Sequence, residues 1–178
     1  MANRQPVATS VRPRSVPRLV LLSDARNDAW LERALRRLPP GSALVFRHYH
    51  LDRAARAARL RRLARVAALC GIAIVQAGVG YGPAPILSRS RSRMGALRLA
   101  TAHDLREIGA AARAGADAVL LSPVFPTRSH PGARVLGALR FNLLARLSPL
   151  PVLALGGMTR RRFRQVRAHG FAAIDGLT

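Results

Sequence analysis

The 178-residue sequence contains no lysine: all 30 basic residues are arginine, against only eight acidic ones, for a formal net charge of +22. A G+C-rich codon bias accounts for arginine over lysine and for the abundant alanine, glycine and proline. It does not account for the scarcity of acids, so the positive field is a physical property of the chain. The single cysteine, Cys70, excludes an intramolecular disulfide and a cysteine-based zinc centre. Aromatic residues make up 4% of the chain, so Leu, Val, Ile and Ala must build the core. No apolar run approaches the roughly 18 residues of a membrane span. Before Pro17 there is charge but no apolar segment of the secretory kind. The expectation is a soluble, cytoplasmic protein with no membrane partner.

What is present is apolar residue in quantity, 49% of the chain, which supports one packed domain and argues against wholesale disorder. Residues 1–16 mix Arg, Pro, Ser and Thr without periodicity and read as a flexible basic tail, with one domain over 17–178. From there short apolar runs alternate with helical spacing. Strands are expected at Arg18–Ser23, Ala43–Phe46, Ile72–Val75, Ala96–Ala100, Ala118–Leu121, Val152–Leu155 and Phe171–Ile174, with a weak one near Pro85–Leu87. Helices are expected at Ala29–Leu38, Leu51–Leu69, His103–Ala114, Phe141–Leu147 and Arg160–His169. Continuously apolar strands separated by single helices indicate a parallel sheet buried on both faces. Seven or eight such units favour a compact α/β architecture, a (β/α)8 TIM barrel. The four residues after Ile174 leave no room for a final helix. Strands one and eight would then expose apolar surface that a homodimer could cover.

In such a barrel the functional face lies at the C-terminal strand ends, with phosphate often bound after strands seven and eight. After strand seven stand Gly156, Gly157, Met158 and Thr159, opening a helix whose first turn holds Arg160, Arg161 and Arg162. Glycines permit close backbone approach, and three arginines oppose the helix dipole unless an anion sits nearby. Asp175 and Gly176 follow strand eight. After strand six, the loop from Ser122 to Gly132 offers three hydroxyls, one arginine and one histidine on a proline-stiffened frame. Arg47, His48, Tyr49 and His50 follow strand two; Thr101 and His103 follow strand five, where Thr101 could serve as a helix cap. A histidine there can act as acid or base near neutrality. His48 and His50 would share a strand face, but without a neighbouring carboxylate they make a poor metal site. The arginines of Asp52–Leu69 flank a stripe of Leu60, Leu63, Ala64 and Ala67, the outer layer of a barrel. No aromatic interleaves them or Arg89, Arg91 and Arg93, so nucleic acid is the less favoured partner and small phosphorylated molecules the more favoured.

The strand-end residues together resemble the thiamine phosphate synthase and thiazole tautomerase family, a family of (β/α)8 barrels. The resemblance runs from about Leu19 onward and is most specific after residue 98. It rests on Thr101-Ala-His103, Gly115-Ala-Asp117, the loop Ser122-Pro-Val-Phe-Pro-Thr-Arg-Ser-His130, and Pro151-Val-Leu-Ala-Leu-Gly-Gly157. Leu21-Leu-Ser-Asp24 resembles the family's first-strand signature, and Arg47 falls at its strand-two arginine. The resemblance implies a magnesium-assisted transfer joining hydroxymethylpyrimidine pyrophosphate to thiazole phosphate, with pyrophosphate released. It places Arg47, Thr127, Ser129 and His130 around pyrophosphate, and Gly156, Gly157, Asp175 and Gly176 around thiazole phosphate. The segments that carry the family's magnesium carboxylates are replaced here by Val75-Gln-Ala-Gly78 and by Ile86-Leu-Ser-Arg89. The strand-two lysine appears as Tyr49, the loop lysine as His130 and the strand-eight serine as Asp175. Arginines would then carry part of the metal's charge work, and no metal ligand is assigned. The tautomerase branch needs neither metal nor pyrophosphate and places its acid–base histidine at His103. A barrel without catalysis, binding a phosphorylated ligand or RNA, is the third reading.

Overall fold

The computed structural model describes residues 15–90, 96–129, 132–175 and 177. All but the last two residues of the expected tail lie outside the described residues, as do His130 and Gly176. Val16 is anchored: its carbonyl accepts a hydrogen bond from His169 Nε2 at 2.9 Å.

Eight short parallel strands form the sheet: β1 (Leu19–Leu22), β2 (Ala43–Phe46), β3 (Ala73–Gln76), β4 (Tyr81–Pro83), β5 (Leu99–Ala102), β6 (Ala118–Leu121), β7 (Val152–Ala154) and β8 (Gly170–Ala173). Their order is β3-β2-β1-β8-β7-β6-β5-β4, a nearly closed barrel. Around it lie α1 (Leu31–Arg37), α2 (Arg53–Leu69), α3 (Ala84–Arg89), α4 (Leu105–Arg113), α5 (Gly137–Leu147) and α6 (Arg160–Phe163). The TIM-barrel expectation therefore holds.

The alternation of strand side chains sorts the apolar residues into two cores. Val20, Leu22, Val45, Leu99, Leu120 and Leu153 point inward and fill the barrel. Leu21, Leu44, Phe46, Val119, Leu121 and Phe171 point outward and meet the helices. Both faces of every long strand are apolar for this reason, which is why the sequence shows runs rather than alternation. Ala43, Ala118 and Ala172 also face inward, so the interior is narrow and packed.

The barrel closes unusually between β3 and β4. A parallel crossover takes roughly a dozen residues or more, yet only residues 77–80 join these two strands. The segment Ala73–Pro83 pairs first with β2 and then, after a turn through left-handed Gly78 (φ 84°), with β5. A lone bridge between Ala77 and Tyr81 spans the seam. One continuous stretch thus does the work of two strands and a helix.

Several expectations need correction. The weak strand near Pro85–Leu87 is helix α3, and the strand itself is Tyr81–Pro83. The last helix shrinks to the single turn α6, with turns bringing Val166 into the outer core. β1 and β8 are fully buried rather than apolar and exposed. Leu31 and Leu35 of α1 join Phe163 and Val166 in the outer core that contains their outward side chains. On α2 the buried stripe contains Leu63 and Ala67, while Ala64 is exposed and Arg56 and Arg59 turn partly inward. Among the described residues no helix is long and apolar enough to cross a membrane.

Candidate active site

Eight of the sequence-derived site residues meet at one mouth. Arg47, Thr101, His103, Thr127, Ser129, Gly156, Gly157 and Asp175 all line a cavity of about 750 Å³ at the C-terminal ends of the strands. Its floor is apolar, formed by inward Leu22, Tyr81, Leu155 and Ile174. Its rim carries four arginines, Arg47, Arg128, Arg134 and Arg162, against one lining carboxylate, Asp175. An apolar wall under convergent cations suits a flat organic ring bearing an anionic group.

The rim begins with the turn after β1. Asp24 caps a 3-10 helix, Ala25–Trp30, through a capping box with Asn27. Asn27 is buried, and its Nδ2 donates to Leu22 O (2.9 Å) and Ile174 O (3.0 Å), joining the ends of β1 and β8. Asp24 holds Arg26 Nε at 2.9 Å and the Nη2 of the rim's Arg47 at 3.0 Å. Desolvation pushes the Asp24 carboxyl up, but the hydrogen bonds from Arg26 and the charges of Arg26 and Arg47 outweigh it, leaving it below its usual range. Arg47 also donates through Nε to Ser23 O at 2.9 Å, which fixes its guanidinium at the mouth. Burial pushes the Tyr81 hydroxyl up to about 12, opposed by Arg47, so it is a neutral donor.

The loop after β6 forms the opposite rim. Val124 and Phe125 donate to Leu155 O and Gly156 O at 2.9 and 3.1 Å, laying the loop directly on the Gly-Gly turn. A Cβ on Gly157 (φ 60°) would stand 2.4 Å from Pro126 O, and one on Gly156 (φ 96°) 2.8 Å from Pro123 Cα. The close approach that these glycines permit is therefore to the neighbouring loop. Arg162 crosses the same junction, donating to Gly157 O at 2.6 Å and lying 5.3 Å from the Phe125 ring centre. Ser129 Oγ accepts from Arg26 Nη2 at 2.9 Å, and Arg128 Nη2 donates to Asp175 Oδ2 at 3.0 Å. Arg26 Nη1 lies 3.7 Å from the same oxygen. Hydroxyls and cations of three loops are thus tied across the mouth.

His103 stands at the mouth with an exposed ring, its Nδ1 2.9 Å from Glu107 Oε2. Its backbone N–H donates to the same carboxylate, and the cap of α4 is Asp104 rather than Thr101. His48 and His50 lie beyond β2, not on it. The fold brings them the carboxylate that their sequence neighbourhood lacks, Asp28. His48 is buried between Ser23 Oγ and Asp28 Oδ1, each 2.8 Å from a ring nitrogen. Desolvation lowers its pKa despite the hydrogen bond and charge of Asp28.

Arg26, Tyr81 and Arg134 are site residues that sequence reasoning missed. Arg26 follows a strand end by four residues, a signal too common to single out. Magnesium is the group that the family resemblance implies, and the residues present do not fit it. Magnesium needs oxygen ligands around a near-octahedral centre. Asp175, the lining carboxylate, and Asp24, which holds Arg47 at the rim, are each engaged by two arginines. The segments after β3 and around α3 offer no carboxylate.

Fold and mouth together define a (β/α)8-barrel protein with a cationic pocket at the strand ends. The chain belongs to the thiamine monophosphate synthase family, whose model matches residues 79–177. Over 78 residues it is 35% identical to a protein of Aquifex aeolicus (strain VF5) named "Putative thiamine-phosphate synthase 2". That alignment spans 44% of this chain and 42% of the relative's own length. The solved thiamine phosphate pyrophosphorylase from Pyrococcus furiosus superposes with a TM-score of 0.69 at 18% identity, over 88% of this chain and 85% of its own. A structure described as native KDPGal superposes with a TM-score of 0.50 at 15% identity, over 87% and 80%. At these identities the two superpositions speak for the fold alone.

Proposed function

We propose that this chain joins hydroxymethylpyrimidine pyrophosphate to thiazole phosphate. The bond between the pyrimidine methylene carbon and the pyrophosphate oxygen breaks, and pyrophosphate leaves with the electron pair. The thiazole nitrogen donates its lone pair to the methylene cation, forming the new C–N bond. Such an enzyme works by holding two reactants in line and stabilising the departing polyanion. The observation that carries the reading is the one mouth in which four arginines oppose one lining carboxylate above an apolar floor. Arg47, Arg128, Thr127 and Ser129 would hold the pyrophosphate. The Gly156–Gly157 turn and Arg162 would hold the thiazole phosphate. The arginine rim supplies the positive charge, and no step is routed through magnesium.

The second reading, thiazole tautomerisation, is favoured by His103, whose Nδ1 is held by Glu107 while Nε2 is left to exchange a proton with a ligand. One experiment separates the two. Purified chain is given both substrates, and thiamine phosphate is measured by mass spectrometry. Thiamine phosphate is the expected product. Tautomerisation that is lost by a factor of roughly a hundred or more in His103→Ala, with no thiamine phosphate formed by the parent, would replace the transferase reading. Neither product would leave a binder of phosphorylated ligands or RNA.

A further inference from the structure

We propose that Asp28, His48 and His50 form a binding site for one divalent transition-metal ion of the zinc type, beside the substrate mouth and separate from the proposed reaction. The ligand atoms of these three residues all lie within 4.8 Å of one another. Two imidazoles and one carboxylate form a donor set that selects Zn²⁺, Co²⁺ or Ni²⁺ over Mg²⁺ and Ca²⁺, which prefer all-oxygen shells. It leaves at least one coordination position to water.

The surroundings resemble a prepared metal site more than a chance cluster. A metal-binding histidine is normally oriented by a hydrogen bond at its other ring nitrogen. His48 has that arrangement: Nδ1 lies 2.8 Å from Ser23 Oγ, and Ser23 Oγ is itself fixed by the Arg47 N–H at 2.8 Å. The ring stacks on Phe46 at 4.5 Å, which leaves Nε2 aimed at Asp28 Oδ1. The hydroxyl of Ser23 can donate to Nδ1 or accept from it. Accepting leaves the Nε2 lone pair for a metal, and donating leaves an Nε2–H for Asp28, so one hydroxyl serves both states.

Asp28 is oriented in the same way. Arg59 donates to Oδ1 through Nε at 2.7 Å and to the Asp28 carbonyl through Nη2 at 2.6 Å, which fixes the carboxylate beside the remaining member of the set. That member, His50, is exposed, and its ring lies 5.3 Å from that of His48, close enough to swing in. His48 adopts a positive φ of 35°, which few residues other than Gly adopt, although His, Asn and Asp do so more often than the rest, and such backbones cluster at functional sites. The local charge is balanced: Asp28 and Glu32 meet Arg59 and the more exposed Arg62.

The test uses the untagged full chain, stripped with a chelator and dialysed. Zinc chloride is titrated by calorimetry, and Co²⁺ binding is followed by its visible absorption. Saturable binding of one ion per chain is expected, with Co²⁺ bands of a low-coordinate nitrogen–oxygen site. His50→Ala, which touches no core, should weaken binding roughly tenfold or more at an unchanged melting temperature. Cys70→Ser should leave binding intact. Absence of saturable binding, or an affinity unmoved by His50→Ala, would overturn the site. Product formation in the transferase assay does not enter this readout, so each reading can fail without the other.

Discussion

At the scale of single residues, the rim is organised by Asp24, a residue that touches no substrate in the proposed scheme. It caps the turn after β1 and holds Arg26 and Arg47 in position. Its folded-state pKa lies below the ordinary value of 3.8, because the arginine bonds overcome desolvation. The sign of the consequence follows from linkage. A depressed carboxylate contributes stability that is fully present above its unfolded pKa and is lost as pH falls through the folded one. Asp24→Asn should therefore melt lower than the parent at pH 7, and the gap should close as pH falls below 3.8. Melting curves from pH 7 to pH 2.5, taken by circular dichroism, check this. A gap that does not change with pH would assign the loss to the cap alone.

At the scale of elements, the decisive contact is between the loop after β6 and the turn after β7. Both were visible in the sequence as motifs, and both supplied residues to the mouth. What the sequence did not reveal is that both glycines of the turn after β7 make room for the loop after β6. Gly157→Ala would put a Cβ on a left-handed backbone and 2.4 Å from Pro126 O. The backbone alone should cost roughly 2 kcal/mol, which lowers the melting temperature of a domain this size by about 4 to 8 °C. Inorganic pyrophosphate affinity, measured by calorimetry, should fall with it, because Thr127 and Ser129 hang from the displaced loop. An alanine variant with unchanged melting and affinity would contradict that packing. The strands were legible for a simple reason: both faces are buried, so Ala43–Phe46 and Ala118–Leu121 read as uninterrupted apolar runs. The stretch Ala73–Pro83 was not, because only residues 77–80 separate β3 from β4, too few for the crossover helix whose periodicity would have marked them as separate strands. Asp28 was invisible as a neighbour of His48 for another reason. It lies twenty residues away, and only the pairing of β1 with β2 brings the two together.

At the scale of the whole molecule, the charge of +22 and the barrel act together. Much of that charge is spread over outer helices, where α2 turns most of its arginines to solvent. The functional share is the small set that converges on the mouth, where a low-dielectric apolar floor makes each guanidinium count for more. The shortened β3–β4 connection leaves no carboxylate for a divalent ion, so the anion is left to arginine. A polyanion held by guanidinium groups needs no metal bridge. The most direct measurement is thiamine phosphate formation from hydroxymethylpyrimidine pyrophosphate and thiazole phosphate, run once with magnesium and once with excess chelator. Product is expected in both arms, at rates within about tenfold of each other, since a single charge-stabilising contact is worth more than that. Product that appears only with magnesium, or in neither arm, would contradict it.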